Sequence, residues 1–263
     1  MFNKLAKAAN LALNFLGFYP TVLFINLRSL GWYVRDFLKL KRQIKESGNP
    51  FGFGIPQPVL SDKYVASGVL SGHYFHQDLW AARKIFAHQP QKHVDIGSRV
   101  DGFVTHVASF REIEVFDIRK TEVVIPNIRF VQADFMKFDE QLVHYTDSLS
   151  CLHVIEHFGL GRYGDPVDAN GYLTGLDNLY RLLAPGGKFY FSTPIGPRRI
   201  EFNAHRVFDL RYLHSLFADK YSIDSFAYVN DRGELVSDVD LAEGFDGNFG
   251  CRFGCGLFEM TKR

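Results

Sequence analysis

Cysteine, methionine and tryptophan are scarce in this chain, at three, three and two among 263 residues. An odd number of cysteines, Cys151, Cys251 and Cys255, does not make a disulfide-stapled secreted scaffold, so a reducing cytoplasm is the expected compartment. Cys251 and Cys255 have no second cysteine pair to complete a zinc cluster and read as bland buried thiols. There is no low-complexity tract and no internal repeat. The longest uncharged stretch, residues 8–27, is interrupted by Asn10, Asn14 and Asn26, broken by Gly17 and Pro20, and followed by no small-residue cleavage pattern. It is expected to be neither a membrane span nor a signal segment. A G-x-G-x-x-G run is also missing, which makes a dinucleotide pyrophosphate loop a poor match.

What is abundant is phenylalanine, with 26 residues in a chain that is 46% hydrophobic. Such a chain buries a full core, and its length suits one α/β domain with an appendage. The net charge is +1, yet residues 1–48 carry Lys4, Lys7, Arg28, Arg35, Lys39, Lys41, Arg42 and Lys45 against only Asp36 and Glu46, so the remainder is net acidic. We expect residues 1–48 to be a basic, apolar helical extension, either lying on an anionic membrane surface at the inner face or packing as a lid. Residues 49–58 are rich in glycine and proline, so 49–70 reads as a linker and 71–263 as the main domain. Nucleic acid is not an expected partner, because no basic stripe with interleaved aromatics appears in that domain.

The main domain is organised around His93-Val94-Asp95-Ile96-Gly97-Ser98-Arg99-Val100-Asp101-Gly102-Phe103. Its first four residues read as a strand, Gly97 permits a sharp turn, and the spacing of Phe103, Val104, Val107 and Phe110 suits a helix on a sheet. Free N–H groups at such a helix start, outside a strand's carboxyl end, form a natural nucleotide site. A helix entered at or just before Asp78 is expected to precede this strand. Glu112 to Arg119 alternates and ends on Asp117, about 20 residues beyond the turn, where an acid can accept from both ribose hydroxyls. Asn127 to Phe135 repeats the pattern and places Asp134 to accept from an adenine amino group, with Phe135 near the ring. Asp147 to Leu152 is a fourth strand, and Leu183-Ala184-Pro185-Gly186-Gly187 closes a helix before a fifth. Residues 221–229 and 255–262 are expected as two last strands, one of them antiparallel at or near the sheet edge.

In order and spacing, Val94-Asp95-Ile96-Gly97-Ser98, Asp117, Asp134-Phe135, Ile155-Glu156-His157 and Leu183-Ala184-Pro185-Gly186-Gly187 resemble class I S-adenosylmethionine-dependent methyltransferases. Ser71-Gly72-His73-Tyr74-Phe75-His76-Gln77-Asp78 and the stretch from His157 to Pro166 are similar to an uncharacterised bacterial methyltransferase-like family. The resemblance implies a Rossmann-like, seven-stranded, mostly parallel sheet with helices on both faces and an antiparallel hairpin at one edge. It also implies S-adenosylmethionine across the first two strand ends, near Asp95, Gly97, Ser98, Arg99, Asp101, Asp117, Ile118, Asp134 and Phe135. Where that family's loop reads Gly-x-Gly-x-Gly, this chain has Gly97, Arg99 and Asp101. Those side chains either narrow the methionine pocket, touch the cofactor, or mark a relative that has lost binding.

Methyl transfer to a hydroxyl needs alignment and a proton acceptor, for which His157, His153 and His205 are candidates, with Glu156 beside them. Arg162, Tyr163 and Asp165 form an acceptor-binding loop in this reading, and Arg198 and Arg206 anchor an acidic group. Together these give O-methylation of a small-molecule or glycan acceptor. Two alternatives stand beside it: a cofactor-binding protein without turnover, and a zinc hydrolase, because His153-Val154-Ile155-Glu156-His157 matches H-x-x-E-H with Glu201 or Glu234 as a guessed third ligand. His73 and His76 lack a clear third ligand and are read as lid or substrate-pocket residues, so no metal site is assigned.

Overall fold

The computed structural model describes residues 10, 12–64, 68, 70–122 and 124–263, which divide into two compact units, Met1–Val69 and Leu70–Arg263. Lys4 and Lys7 of the basic extension lie outside the described residues.

In the first unit, helix α1 (Pro20–Ser47) begins at the proline that interrupts the uncharged stretch. Proline suits a first helical turn, where no N–H is needed. The helix ends at Gly48, whose φ of 63° lets its N–H reach the Ile44 carbonyl. Residues 49–58 form no helix or strand, and Phe53 folds back edge-on to Phe37 while Lys63 reaches Asp36 at 2.5 Å and covers the Trp32 ring. Among the described residues no helix is long and apolar enough to cross a membrane.

The second unit is an α/β fold. Helix α2 (His73–His88) precedes β1 (His93–Ile96), and α3 (Thr105–Ala108) leads to β2 (Ile113–Asp117) and β3 (Ile128–Gln132). Strand β4 (Thr146–Leu152), helix α4 (Gly171–Leu182) and β5 (Leu183–Ile195) follow. A small hairpin, β6 (Arg199–Glu201) and β7 (His205–Val207), stands apart from the main sheet. Then come α5 (Leu210–Phe217), β8 (Tyr221–Val229), β9 (Leu235–Val236) and β10 (Gly254–Lys262).

The main sheet runs β3-β2-β1-β4-β5-β10-β8-β9, with β1 to β5 parallel and β10 antiparallel to both neighbours. The mostly parallel sheet with an antiparallel edge is the expected architecture, with the two-residue β9 as an eighth strand. Alternation along each strand builds two apolar layers. Val94, Ile96, Phe116, Leu149, Phe189 and Phe191 pack with Leu179 and Leu182 of α4 and Leu213 and Phe217 of α5. Ile113, Val115 and Tyr190 pack with Ala81 and Ile85 of α2, Phe103 and Val107. Helices on both faces cover parallel strands that are buried on both sides. Two boundaries differ from the expected ones. Helix α2 starts at His73, after Gly72 with φ of 92°, which frees the chain to turn into the helix several residues before Asp78. Strand β5 runs through Pro185-Gly186-Gly187, because pairing with β4 resumes across an irregularity between Thr146 and Ser148.

Candidate active site

Strand β1 ends where the chain must turn back over the sheet. Gly97 takes φ of 70°, and a Cβ there would lie 2.8 Å from Val154 Cγ1, so the turn admits glycine without rearrangement and little else. Beneath it Asp95 is fully buried and ties the turn together. Its carboxylate accepts from Ser98 N and Ser98 Oγ, each at 2.9 Å, and from Ser150 Oγ at 2.5 Å. Burial pushes the Asp95 pKa up to about 7, against the lowering by those donors. Burial pushes neighbouring His93 down to about 3, so its ring is neutral. The network assigns the tautomer: Ser150 Oγ donates to Asp95 and so accepts from His93 Nε2 at 3.2 Å, leaving Nδ1 to accept from Ser148 Oγ at 2.8 Å.

Above this polar column a cleft opens outside the carboxyl ends of β1 to β4. Residues 96–99, 116–119, 133–136 and 152–154 line it, and Tyr74, His157, Phe158, Tyr163 and Asp165 complete the wall. Of the residues expected to contact a cofactor, Gly97, Ser98, Arg99, Asp117, Ile118, Asp134 and Phe135 are on this wall. Asp95 and Asp101 are not. Asp95 is the buried organiser of the turn, and Asp101 is an exposed residue whose carboxylate accepts from Arg99 Nε at 3.0 Å and Nη2 at 2.6 Å. Asp117 accepts from Arg119 Nε at 2.9 Å, Nη2 at 2.5 Å and the Arg119 N–H at 2.8 Å. Asp134 Oδ1 accepts from Met136 N at 2.9 Å, and Phe135 packs edge-on against Phe116.

The expected acceptor residues divide in the same way. Tyr163 and Asp165 line the cleft, and Asp165 accepts from the N–H groups of Gly159, Gly161 and Tyr163, which closes the glycine-rich loop. Gly159 is required there, since a Cβ would meet the Asp168 carbonyl at 2.0 Å. Arg162 is off the wall and donates to the Ala204 carbonyl at 2.9 Å. Arg198 and Arg206 are off the wall. Arg198 pairs with Asp209 at 2.5 Å, and buried Arg206 directs its guanidinium at the carbonyls of Glu156, Phe158, Asp168 and Ala169.

Among the expected catalytic residues, His153 and His157 are on the wall; Glu156 lies buried behind it, and His205 sits off it beside Phe253 and Glu201. The H-x-x-E-H stretch does not form the zinc-peptidase helix. His153 has φ of 55°, and Ile155–His157 is one turn of 3-10 helix. Glu201 bonds Arg199 and Glu234 bonds Asn230, so neither guessed third ligand joins it. Glu156 Oε1 instead meets His153 Nδ1 at 2.7 Å. Burial opposes both charges, yet the pair overcomes it: Cys255 and Glu156 hold His153 well above the usual histidine range, and His153 holds Glu156 below the usual carboxylate range. His157 Nδ1 donates to the Ala204 carbonyl at 2.7 Å, leaving Nε2 as its lone-pair nitrogen, and burial lowers its pKa despite Glu156 nearby.

Sequence reasoning missed Tyr74, which reaches the wall, and the buried pair Gln77 and Asp78. Gln77 accepts from Ser192 Oγ at 2.6 Å and donates to Asp78 Oδ1 at 3.1 Å, fastening α2 to β5. The signal was the Ser71 to Asp78 stretch itself, whose residues fall before an apolar helix face. It missed as well that His73, His153 and Cys255 converge, with one ligand atom of each within 4.8 Å of the others.

No curated protein is significantly similar to the chain. Among solved structures it is similar to the 1,6-didemethyltoxoflavin-N1-methyltransferase of Burkholderia thailandensis, crystallised with 1,6-didemethyltoxoflavin and S-adenosylhomocysteine. The identity is 17%, 71% of this chain and 78% of that one are covered, and the TM-score is 0.48. It is similar to the N-methyltransferase NodS of Bradyrhizobium japonicum WM9 with S-adenosylhomocysteine at 13% identity, covering 73% and 88% at a TM-score of 0.47. YcgJ of Bacillus subtilis gives 14% identity, 72% and 98% coverage and a TM-score of 0.48. At these values activity does not follow from the likeness, and the fold rests on the strand order itself. A family model matches residues 106–242, just over half of the chain, so the protein belongs to the family described as Caenorhabditis protein of unknown function, DUF268.

Proposed function

We propose that the protein is an S-adenosylmethionine-dependent methyltransferase acting on an oxygen of a small-molecule or saccharide-type acceptor. What carries this reading is that one cleft gathers a positive-φ glycine turn after β1, an acid ending β2 and an acid–aromatic pair after β3. These residues fit a nucleoside: Asp117 for the ribose hydroxyls, Asp134 for the adenine amino group, and Ile118 and Phe135 against the ring. The bound cofactor supplies a methyl group already activated on a sulfonium. The chain's own residues align the acceptor and take its proton. His157 suits that task, because its Nε2 is the lone-pair nitrogen and burial lowers its pKa, whereas the Nδ1 of His153 is engaged by Glu156 and its pKa is raised by Cys255 and Glu156. Tyr74, more than half exposed, offers an aromatic face and a hydroxyl at the rim, which suits a sugar ring, while the Tyr163 ring carries Arg119 and Arg162.

The extension, residues 1–48, belongs in this reading at an anionic cytoplasmic membrane surface, since α1 exposes Leu23, Phe24, Leu27, Leu30 and Val34 beside Arg28, Arg35 and Lys39. Cosedimentation with phosphatidylglycerol vesicles but not with phosphatidylcholine vesicles is the expected result. A second reading, cofactor binding without turnover, draws on Arg99 and Asp101, which stand where glycines are expected in the turn and pair with each other at 2.6 Å. Incubation with methyl-labelled S-adenosylmethionine and glycan or extract acceptors separates the two. Label transfer that Asp117→Ala abolishes supports the enzyme, and binding with no transfer to any acceptor supports the alternative.

A further inference from the structure

We propose that His73, His153 and Cys255 form a binding site for a transition-metal ion of the zinc class, an imidazole–imidazole–thiolate set beside the cleft. The three come from separate parts of the fold: the first turn of α2, the end of β4, and β10. One ligand atom from each lies within 4.8 Å of the others. Two nitrogens and a sulfur are the donors that soft-to-borderline divalent ions select.

A second observation points at the same place. His153 is buried, its Nδ1 is taken by Glu156, and its Nε2 finds no oxygen or nitrogen partner, only the Cys255 sulfur. A buried polar nitrogen without such a partner is costly, and a metal ion satisfies it. A carboxylate on the far ring nitrogen is the arrangement that orients a metal-ligating histidine and raises its basicity. His73 stands beside the Phe253 ring, with the two centroids 5.2 Å apart. Cys255 is fully buried and free of any disulfide. The ion takes the place of the proton held between His153 Nε2 and Cys255 Sγ, which leaves to solvent, and no electron is transferred.

The rings of His73 and His153 lie 5.2 Å apart and nearly parallel, at 11°. An ion cannot lie in both planes at that separation, so one ring must turn. His73 is the less buried of the two and is the one with room to do so. Three protein ligands leave a fourth position for water or for a group entering from the cleft, of which His153 is a wall.

The test uses the reduced, full-length chain, stripped with a chelator and titrated with Zn2+ or Co2+. About one equivalent retained through gel filtration is expected, with a thiolate-to-cobalt charge-transfer band and the intense visible bands of a four-coordinate ion. Cys255→Ser removes the charge-transfer band. His73→Ala weakens zinc binding by at least roughly 100-fold, and Glu156→Gln weakens it by about 10–100-fold. His76→Ala, whose ring meets the Gly233 carbonyl at 3.1 Å, leaves binding unchanged. If Cys255→Ser does not fold, the partly exposed His73 carries the test. A folded wild-type chain that binds neither ion overturns the proposal, as does binding that His73→Ala and Cys255→Ser leave unaltered. Calorimetry with S-adenosylhomocysteine on the same preparations reports separately on the nucleoside site, so failure of one assignment is distinguishable from failure of the other.

Discussion

Asp117 and Arg119 stand two residues apart at the end of β2 and form a bidentate ion pair, with guanidinium nitrogens 2.9 and 2.5 Å from the two carboxylate oxygens. The carboxylate assigned to the ribose is therefore engaged by a residue that also covers the Tyr163 ring at 4.9 Å. Arg119 is half exposed, and such pairs contribute roughly 0–1 kcal/mol. A ribose reaching this carboxylate has to share it with the guanidinium or displace it. Arg119→Ala is expected to change the affinity for S-adenosylhomocysteine by less than about fivefold. A gain of two orders of magnitude would show that Arg119 is an effective block.

Gly97→Ala forces a side chain into the left-handed region and against Val154. We expect a loss of stability of about 1–3 kcal/mol, seen as a lower melting temperature, together with loss of nucleoside binding. A variant with wild-type melting would mean that the turn is not held as described.

The extent to which these features were legible in the sequence follows from how local their causes are. Strands β1 to β4 announce themselves because apolar and β-branched residues recur within a few positions, and Gly97, Asp117 and Asp134 follow directly as strand-end residues. Asp95 was placed in the ligand wall because a strand-end acid looks alike whether it faces a ligand or the turn beneath it; only the Ser98 and Ser150 hydroxyls distinguish the two. Arg206 looked like an anion anchor for the same reason, and the chain folds four carbonyls around it. The convergence of His73, His153 and Cys255 had no local signal at all, since it depends on β10 inserting between β5 and β8.

Asp95 makes a prediction about pH. Its folded pKa, raised by burial to about 7 from 3.8, means that the protonated form is favoured in the folded state. Stability from this group is fully present below about pH 4 and is lost as pH rises through about 7. Asp95→Asn, which cannot ionise, should therefore gain on the wild type between those limits, by on the order of 4 kcal/mol at neutral pH. His93 has the opposite sign, its folded pKa being lowered, but it is common to both proteins and cancels in the difference. Melting curves of the pair at pH 4.5 and about pH 7.5 measure this. Parallel pH dependences would contradict it.

For His157, the lowered pKa places the neutral base in excess at pH 7, so turnover should fall only on the acid side, below the ordinary histidine value of 6.5. His157→Ala is expected to reduce the rate of label transfer by about 100- to 10,000-fold while leaving S-adenosylhomocysteine affinity within a few fold. Equal loss of both would make it a binding residue instead.

The central claim is that the cleft outside β1 and β2 holds a nucleoside through Asp117. Its most direct test is calorimetric titration of the full-length protein with S-adenosylhomocysteine, with Asp117→Ala as the comparison. The account predicts micromolar binding by the wild type and a loss of roughly 100-fold or more in the variant, corresponding to about 3 kcal/mol. A folded wild-type protein that shows no heat of binding, or a variant that binds equally well, would contradict it.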